Sequence, residues 1–339
     1  MTKLTDLTTN YLGMTLRNPV VASAGPISQK VSGIRALAGA GVGAVVIYSL
    51  FEEQLRREAE RIAELEQLHE NTFPEAQTYF PSMATEANAS MQYLKLVETA
   101  VGGSEIPIIA SLNGVSVGSW TRTARQLQEA GASAVELNIY YVCGDVNVAG
   151  PTVEERHLDI LRAVKHAVSI PVAVKLSPYF SSTGNFCRQL DDAGADGLVL
   201  FNRFLQPDVN IDRLEVIPGV SLSSPIDGRL PRTWIAVLHG KVRASLAGTS
   251  GVDTFEDVVK YILAGADVVM TTSSLLRHGV ANVHKLVEGL DGWLTRKELT
   301  LDEARGLLAV PADEDTADFE RAGYVQALEK AKAVYGSLA

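Results

Sequence analysis

Cysteine is almost absent from this chain. Of 339 residues only Cys143 and Cys187 carry thiols, which excludes a disulfide framework and leaves no cysteine cluster for an iron–sulfur centre. That usage fits a reducing cytoplasm. No apolar stretch reaches the length of a membrane span, and the first dozen residues are polar rather than signal-like. Positive charge is short too. Thirty Lys and Arg against 40 Asp and Glu leave a formal net charge of −10, the wrong sign for nucleic acid or an anionic membrane as partner. The six histidines lie far apart, without the close spacing of metal ligands. What remains, 46% hydrophobic and 21% charged, is the composition of a globular enzyme, and length alone leaves one large barrel or two domains open.

Eight buried, strand-like runs can be read: Val20–Ser23, Ala44–Ile47, Ile108–Leu112, Ala134–Asn138, Val172–Lys175, Gly197–Leu200, Ala244–Ala247 and Val268–Thr271. Most are continuous in apolar residues, as parallel strands covered on both faces are. Several follow one phrase (GAGVGAVVI, EAGASAVEL, DAGADGLVL, LAGADVVMT), in which a helix ends at a glycine and a strand starts about three residues later. Eight such units predict an α/β fold, a (β/α)8 TIM barrel with long loop insertions over its C-terminal face. The expected layout is one domain over 1–339. A hairpin spans about 4–17 and turns at Leu12-Gly13-Met14, an inserted helix and lid occupy about 51–101, and a terminal helix over about 317–338 closes the outside. A second excursion, Arg203–Val242, is also expected to reach over the top.

Two stretches speak for a ligand. Around Gly248-Thr249-Ser250-Gly251 and Thr271-Thr272-Ser273-Ser274, small residues end two successive strands, which leaves room for a phosphate approached by backbone N–H groups. Polar residues at strand ends then mark the active face: Ser23, Ser49, Asn113, Asn138, Lys175, Asn202, Ser250, Thr272 and Ser273. Lys175 ends a strand with no other charge, and no carboxylate is read at the neighbouring strand ends. An anionic cofactor satisfies such an ammonium; a structural ion pair is the alternative. Asn138 and Asn202 both donate and accept, which suits the edge of a planar heterocycle. A phosphate-sugar barrel would use the same clamp.

Taken in order, NPVVASAGP, AVELNIYY, VAVKLSP, LFN and GTSG followed by AGADVVMTTS resemble the dihydroorotate dehydrogenase family of FMN barrels over nearly the whole chain. The resemblance implies FMN, with its phosphate on Ser250, Gly251, Thr272 and Ser273. Its ring would lie against Ser23, Ala24 and Gly25 with Ser49 nearby. Lys175 would stand beside the ring's pyrimidine side, and Asn138 and Asn202 would hydrogen-bond a substrate stacked on the flavin. A cation at that edge favours acceptance of hydride.

Departures fall on the substrate side. Tyr48 stands where the family has a lysine, and Tyr79–Asn88 has no counterpart of its Asn-Ser-Met-Gly-Leu-Pro-Asn loop. The family's base, a Cys or Ser three residues past the strand-four asparagine, is replaced by Tyr141, with Cys143 two residues further on. Both stay candidates: a thiol delivered by a loop shift, or a phenol whose proton a neighbouring cation loosens. Thr272 replaces a glycine, so a hydroxyl contact to the phosphate is expected. The resemblance implies oxidation of dihydroorotate, a small-molecule substrate, in pyrimidine biosynthesis. The alternative is a flavin-binding barrel without that turnover, serving another substrate or a partner protein. Without the N-terminal apolar helix of quinone-using members, the electron acceptor, itself not named by the sequence, is expected to be soluble or a partner protein. The family is often dimeric, which makes a homodimer the candidate assembly.

Overall fold

A computed structural model of the chain describes residues 5–55, 57, 89–114, 120–141, 143–203, 207–217, 219, 221–311 and 316–336. The chain begins with two short strands, β1 (Thr9–Tyr11) and β2 (Met14–Leu16), paired antiparallel with Tyr11 opposite Met14. Leu12 and Gly13 between them both take positive φ, 54° and 75°, the backbone that a two-residue hairpin of right-handed twist requires. The predicted hairpin is therefore present, turning on the residues expected.

Eight parallel strands follow: β3 (Val20–Ala22), β4 (Ala44–Phe51), β5 (Ile108–Gly114), β6 (Ala134–Ile139), β7 (Val172–Leu176), β8 (Gly197–Leu200), β11 (Ser245–Thr249) and β12 (Val268–Thr271). They hydrogen-bond in that order, and β12 closes on β3. The (β/α)8 barrel is thus what the apolar runs specify. Each run is a strand, with β4 extending furthest beyond its expected end. Between β8 and β11 the excursion carries an antiparallel ribbon, β9 (Asp208–Asn210) with β10 (Glu215–Ile217), which the sequence pattern did not reveal.

The repeated phrase has one structural meaning. Gly41, Gly131, Gly194 and Gly265 all take φ between 89° and 109°. The N–H one residue later reaches back to a carbonyl five residues earlier in each case: Val42 to Leu37, Ala132 to Leu127, Ala195 to Leu190, Ala266 to Tyr261. A left-handed glycine closes the last helical turn and leaves the chain aimed into the next strand. At the strand starts, Asp196 accepts from the Val172 N–H and Asp267 from the Leu246 N–H, so the floor of the barrel is pinned by side chains.

Side-chain alternation divides the core in two. Outward residues such as Val45, Val135, Val174 and Leu198 pack with helix residues including Leu127, Leu161 and Ile262. Several inward positions are small, among them Ala44, Ala134, Ala173 and Ala247, and Tyr11, Leu12 and Leu16 of the hairpin pack with them. The apolar hairpin is a plug for the lower barrel, so the polar interior is confined to its upper end.

Two further expectations concern the insertion and the tail. Helix residues occur at 52–55 and 57 and over Ala89–Gly102, but most of the expected charged helix and the lid, including Tyr79–Asn88, lie outside the described residues. The terminal helix forms over Thr316–Tyr335, yet Tyr324, Val325 and Leu328 remain 42–55% exposed. Its weak apolar periodicity gives it no stripe to bury. No helix among the described residues is long and apolar enough to cross a membrane.

Candidate active site

The carboxyl end of the barrel holds an open cavity of about 230 Å³. Of the residues singled out above, Ser23, Ala24, Lys175, Asn202, Ser250, Thr272 and Ser273 line it. Asn138 adjoins it, its Oδ1 accepting from the Asn202 Nδ2 at 2.6 Å. Register explains the meeting: Asn138 lies opposite Lys175 across β6 and β7, and Asn202 is held by its backbone N–H on Leu176 O. Gly25 closes the wall, where a Cβ would come 2.5 Å from Thr272 Cγ2. Ser49 lies deeper and shares a 2.9 Å hydrogen bond with Ser111 Oγ.

The loop after β11 is shaped for an anion. Ser250 and Gly251 take φ of 76° and 67°, and the Tyr261 hydroxyl lies 2.9 Å from Thr249 O and 2.7 Å from Ser250 O. Tyr261 sits outside the barrel against Gly248, where an added Cβ would meet its ring. Both carbonyls therefore face outward, which turns the positive side of the peptide dipoles to the cavity. The hydroxyls behave otherwise than expected. Thr272 Oγ1 donates to Ser23 O at 2.7 Å and Ser250 Oγ to Phe201 O at 3.3 Å, so both serve the fold. Ser273 Oγ accepts from Ser223 N. Gly251 is not on the cavity surface; it backs onto the turn at 224–228.

Lys175 requires the main correction. The ammonium, on a 7%-exposed residue, lies 3.6 Å from Glu136 Oε1 and 3.5 Å from Ser23 Oγ. A carboxylate is therefore present after all, two residues before Asn138 on the same inward face of β6. Period-two alternation could have found it, because Ala134, Glu136 and Asn138 share a parity. Arg203, Ser221 and Ser223 also line the cavity. They arrive on the excursion after β8, whose path no periodicity fixes.

Tyr141 and Cys143 are not in this cavity. They line a separate cleft of about 430 Å³ with Asp145, Ser177, Tyr179 and Phe180. The Tyr141 hydroxyl donates to Cys143 Sγ at 3.7 Å, and the Arg156 guanidinium stands 4.3 Å from the Tyr141 ring centre, so a cation does neighbour the phenol. Cys187 is a core residue whose thiol burial pushes up to about 12, which leaves Cys143 the accessible thiol. Tyr48, at the family's lysine position, packs edge-on against Tyr93 at 5.2 Å with the outer layer. A shift in register between Val46 and Ser49 accounts for it.

Beneath the cleft, His157 is 1% exposed, with Nδ1 2.8 Å from Val153 O and its ring edge-on to Phe180 and Phe186. Burial is the main cause that lowers its pKa below the ordinary value, opposed by the Val153 hydrogen bond. The unfolded chain therefore takes up this proton first. Stability from His157 is full above about pH 6.5 and is lost as pH falls toward the folded-state value. His157→Phe is expected to keep its unfolding midpoint better than the parent between pH 7 and pH 5 in denaturant titrations; parallel curves would remove His157 as the acid-sensitive group.

Closed topology, an apolar plug below and polar groups gathered at the carboxyl ends of the strands define a (β/α)8-barrel enzyme. The chain belongs to the dihydroorotate dehydrogenase family, whose model matches residues 6–294, and is an enzyme of that oxidoreductase type, acting on CH–CH donors. It is 27% identical over 307 residues to a dihydroorotate dehydrogenase B (NAD(+)) catalytic subunit of Methanocella arvoryzae, covering 89% of this chain and 97% of that one. A protein of the same name from Methanothermobacter thermautotrophicus is 26% identical over 314 residues, 89% and 98% of the two chains. A putative dihydroorotate dehydrogenase A (fumarate) of Aeropyrum pernix is 29% identical over 208 residues, 59% of this chain and 66% of that one.

Proposed function

We propose that the chain is an FMN-dependent oxidoreductase that oxidises dihydroorotate, or a related small planar substrate, in pyrimidine biosynthesis. One observation carries the reading: the buried Lys175 ammonium reaches a cavity walled by Thr249 and Ser250, whose carbonyls face away. The residues fit the cofactor in charge and in shape. Ser250, Thr272 and Ser273, backed by Gly251, would hold the phosphate; Ser23, Ala24 and Gly25 offer a flat wall, with Ser49 beneath. Lys175 would steady the ring edge, and the Asn138–Asn202 pair would orient the substrate through amide hydrogen bonds. When bound, FMN would supply the hydride acceptor.

The remaining task of the chain is to take a proton from the substrate, and Cys143 Sγ is assigned that role, with Tyr141 next in line. Their cleft is lined in part by Ser177, two residues beyond Lys175. Relatives carry NAD(+) and fumarate in their names; here re-oxidation is assigned to a soluble acceptor or partner protein. The chain is read as a single cytoplasmic domain that pairs as a homodimer.

A second reading is favoured by two departures, the separate cleft of Tyr141 and Cys143 and the outward Tyr48. It is a flavin barrel without dihydroorotate turnover, serving another substrate or a partner protein. Purified protein is expected to be yellow and to bleach when dihydroorotate is added without oxygen. Yellow protein that other reductants bleach but dihydroorotate does not supports the second reading, and colourless protein that takes up no FMN ends both. If Cys143→Ala bleaches as fast as the parent, the proton passes to Tyr141.

A further inference from the structure

Glu136 is 1% exposed, and neither of its carboxylate oxygens has a hydrogen-bond partner. Its charge is felt by groups on two other elements. Tyr11 of the hairpin and Tyr93 of the helix Ala89–Gly102 are both pushed well up, by burial first and by Glu136 as a smaller cause, with Asp267 adding to the effect on Tyr11. Both phenols stay neutral and offer the carboxylate no counter-charge. Among the described residues, Lys175 on β7 is the one cation placed to balance it, at 3.6 Å. The same ammonium faces the cavity and lies 3.5 Å from Ser23 Oγ.

We propose that Glu136 is the counter-ion that sets how much positive charge Lys175 presents to the cavity. It is a positioning residue, one layer below the ligand, acting through the ammonium. Its consequence for a cofactor rests on the FMN reading; the pairing itself rests on geometry alone. With Glu136 ionised, the pair is neutral overall and the ammonium is shared between a fixed anion below and a ligand above. Removing the carboxylate charge leaves an unopposed cation against the ligand, and the more electron-rich form of that ligand gains most.

In FMN-loaded protein, Glu136→Gln is expected to shift the balance toward reduced flavin about tenfold at a fixed ambient potential, about 30 mV for a two-electron couple. An unchanged or lowered midpoint potential overturns the proposal. Should the protein take up no flavin, the functional reading fails and the pairing is tested without it. Lys175→Met strands Glu136 as a buried carboxylate with no cation beside it, and the cost of carrying that charge grows as pH rises. Denaturant midpoints of Lys175→Met are expected to fall from pH 5 to pH 8 relative to the parent, and those of Glu136→Gln with Lys175→Met are not. Equal pH slopes in the single and double variants overturn the pairing.

Discussion

Lys175→Met is expected to cost about 3–5 kcal/mol of folding free energy at neutral pH, the range for removing one partner of a buried ion pair. Methionine is close to lysine in length and apolar, so lost packing contributes little. The penalty comes from Glu136, which keeps neither a cation nor a hydrogen bond. The folded protein can relieve that charge only by taking up a proton, so the loss measured by urea unfolding should be smaller at pH 5 than at pH 7. A loss under about 1 kcal/mol, independent of pH, would mean that Lys175 does not balance Glu136. Under the FMN reading the same variant also comes off the column with less flavin than the parent.

The barrel was legible because parallel strands buried on both faces carry little besides apolar residues, and because one glycine conformation recurs at the helix ends. Gly41, Gly131, Gly194 and Gly265 mark those ends in the text of the sequence as plainly as in the backbone. The hairpin was legible for a similar reason, since Leu12-Gly13 between apolar residues admits few turns. Polar strand ends also announced themselves, and six of them line the cavity.

What escaped falls into two physical classes. Glu136 is visible within Ala-Val-Glu-Leu-Asn but lies two residues short of the strand-end asparagine, and only its parity puts it next to Lys175. Tyr48 lies within an irregularity of β4, between Val46 and Ser49, that alternation cannot anticipate. The second class is contact made by chain excursions. Arg203, Ser221 and Ser223 reach the cavity from a loop, and the ribbon β9–β10 has strands of three residues with Val209, Val216 and Ile217 at least 40% exposed. Periodicity reports burial, and a ribbon exposed on its surface gives it nothing to report.

Gly251→Ala is expected to destabilise the protein by several kcal/mol even when no cofactor is bound. Two costs add. At φ 67° an L-residue pays about 1–2 kcal/mol for the left-handed conformation. The new Cβ would also lie 2.4 Å from Gly228 N, 2.7 Å from Ser224 O and 2.9 Å from Gly228 Cα. All three are backbone atoms of a turn clamped by the Ser224–Asp227 capping box, so no side chain can swing aside, and overpacking of this kind costs about 1–3 kcal/mol more. Gly240 provides the control, with φ 73° and nothing within 4 Å of an added Cβ. Gly240→Ala should show the backbone cost alone, so the difference between the two variants measures the clash. The comparison also decides what the glycine is for. If it served only to let an N–H approach a phosphate, cofactor-free Gly251→Ala would unfold like Gly240→Ala and differ from it only in flavin affinity. A loss of stability beyond that of Gly240→Ala makes Gly251 the seam between the phosphate-side loop and the 224–228 turn, so that weakened cofactor binding would follow from a displaced wall.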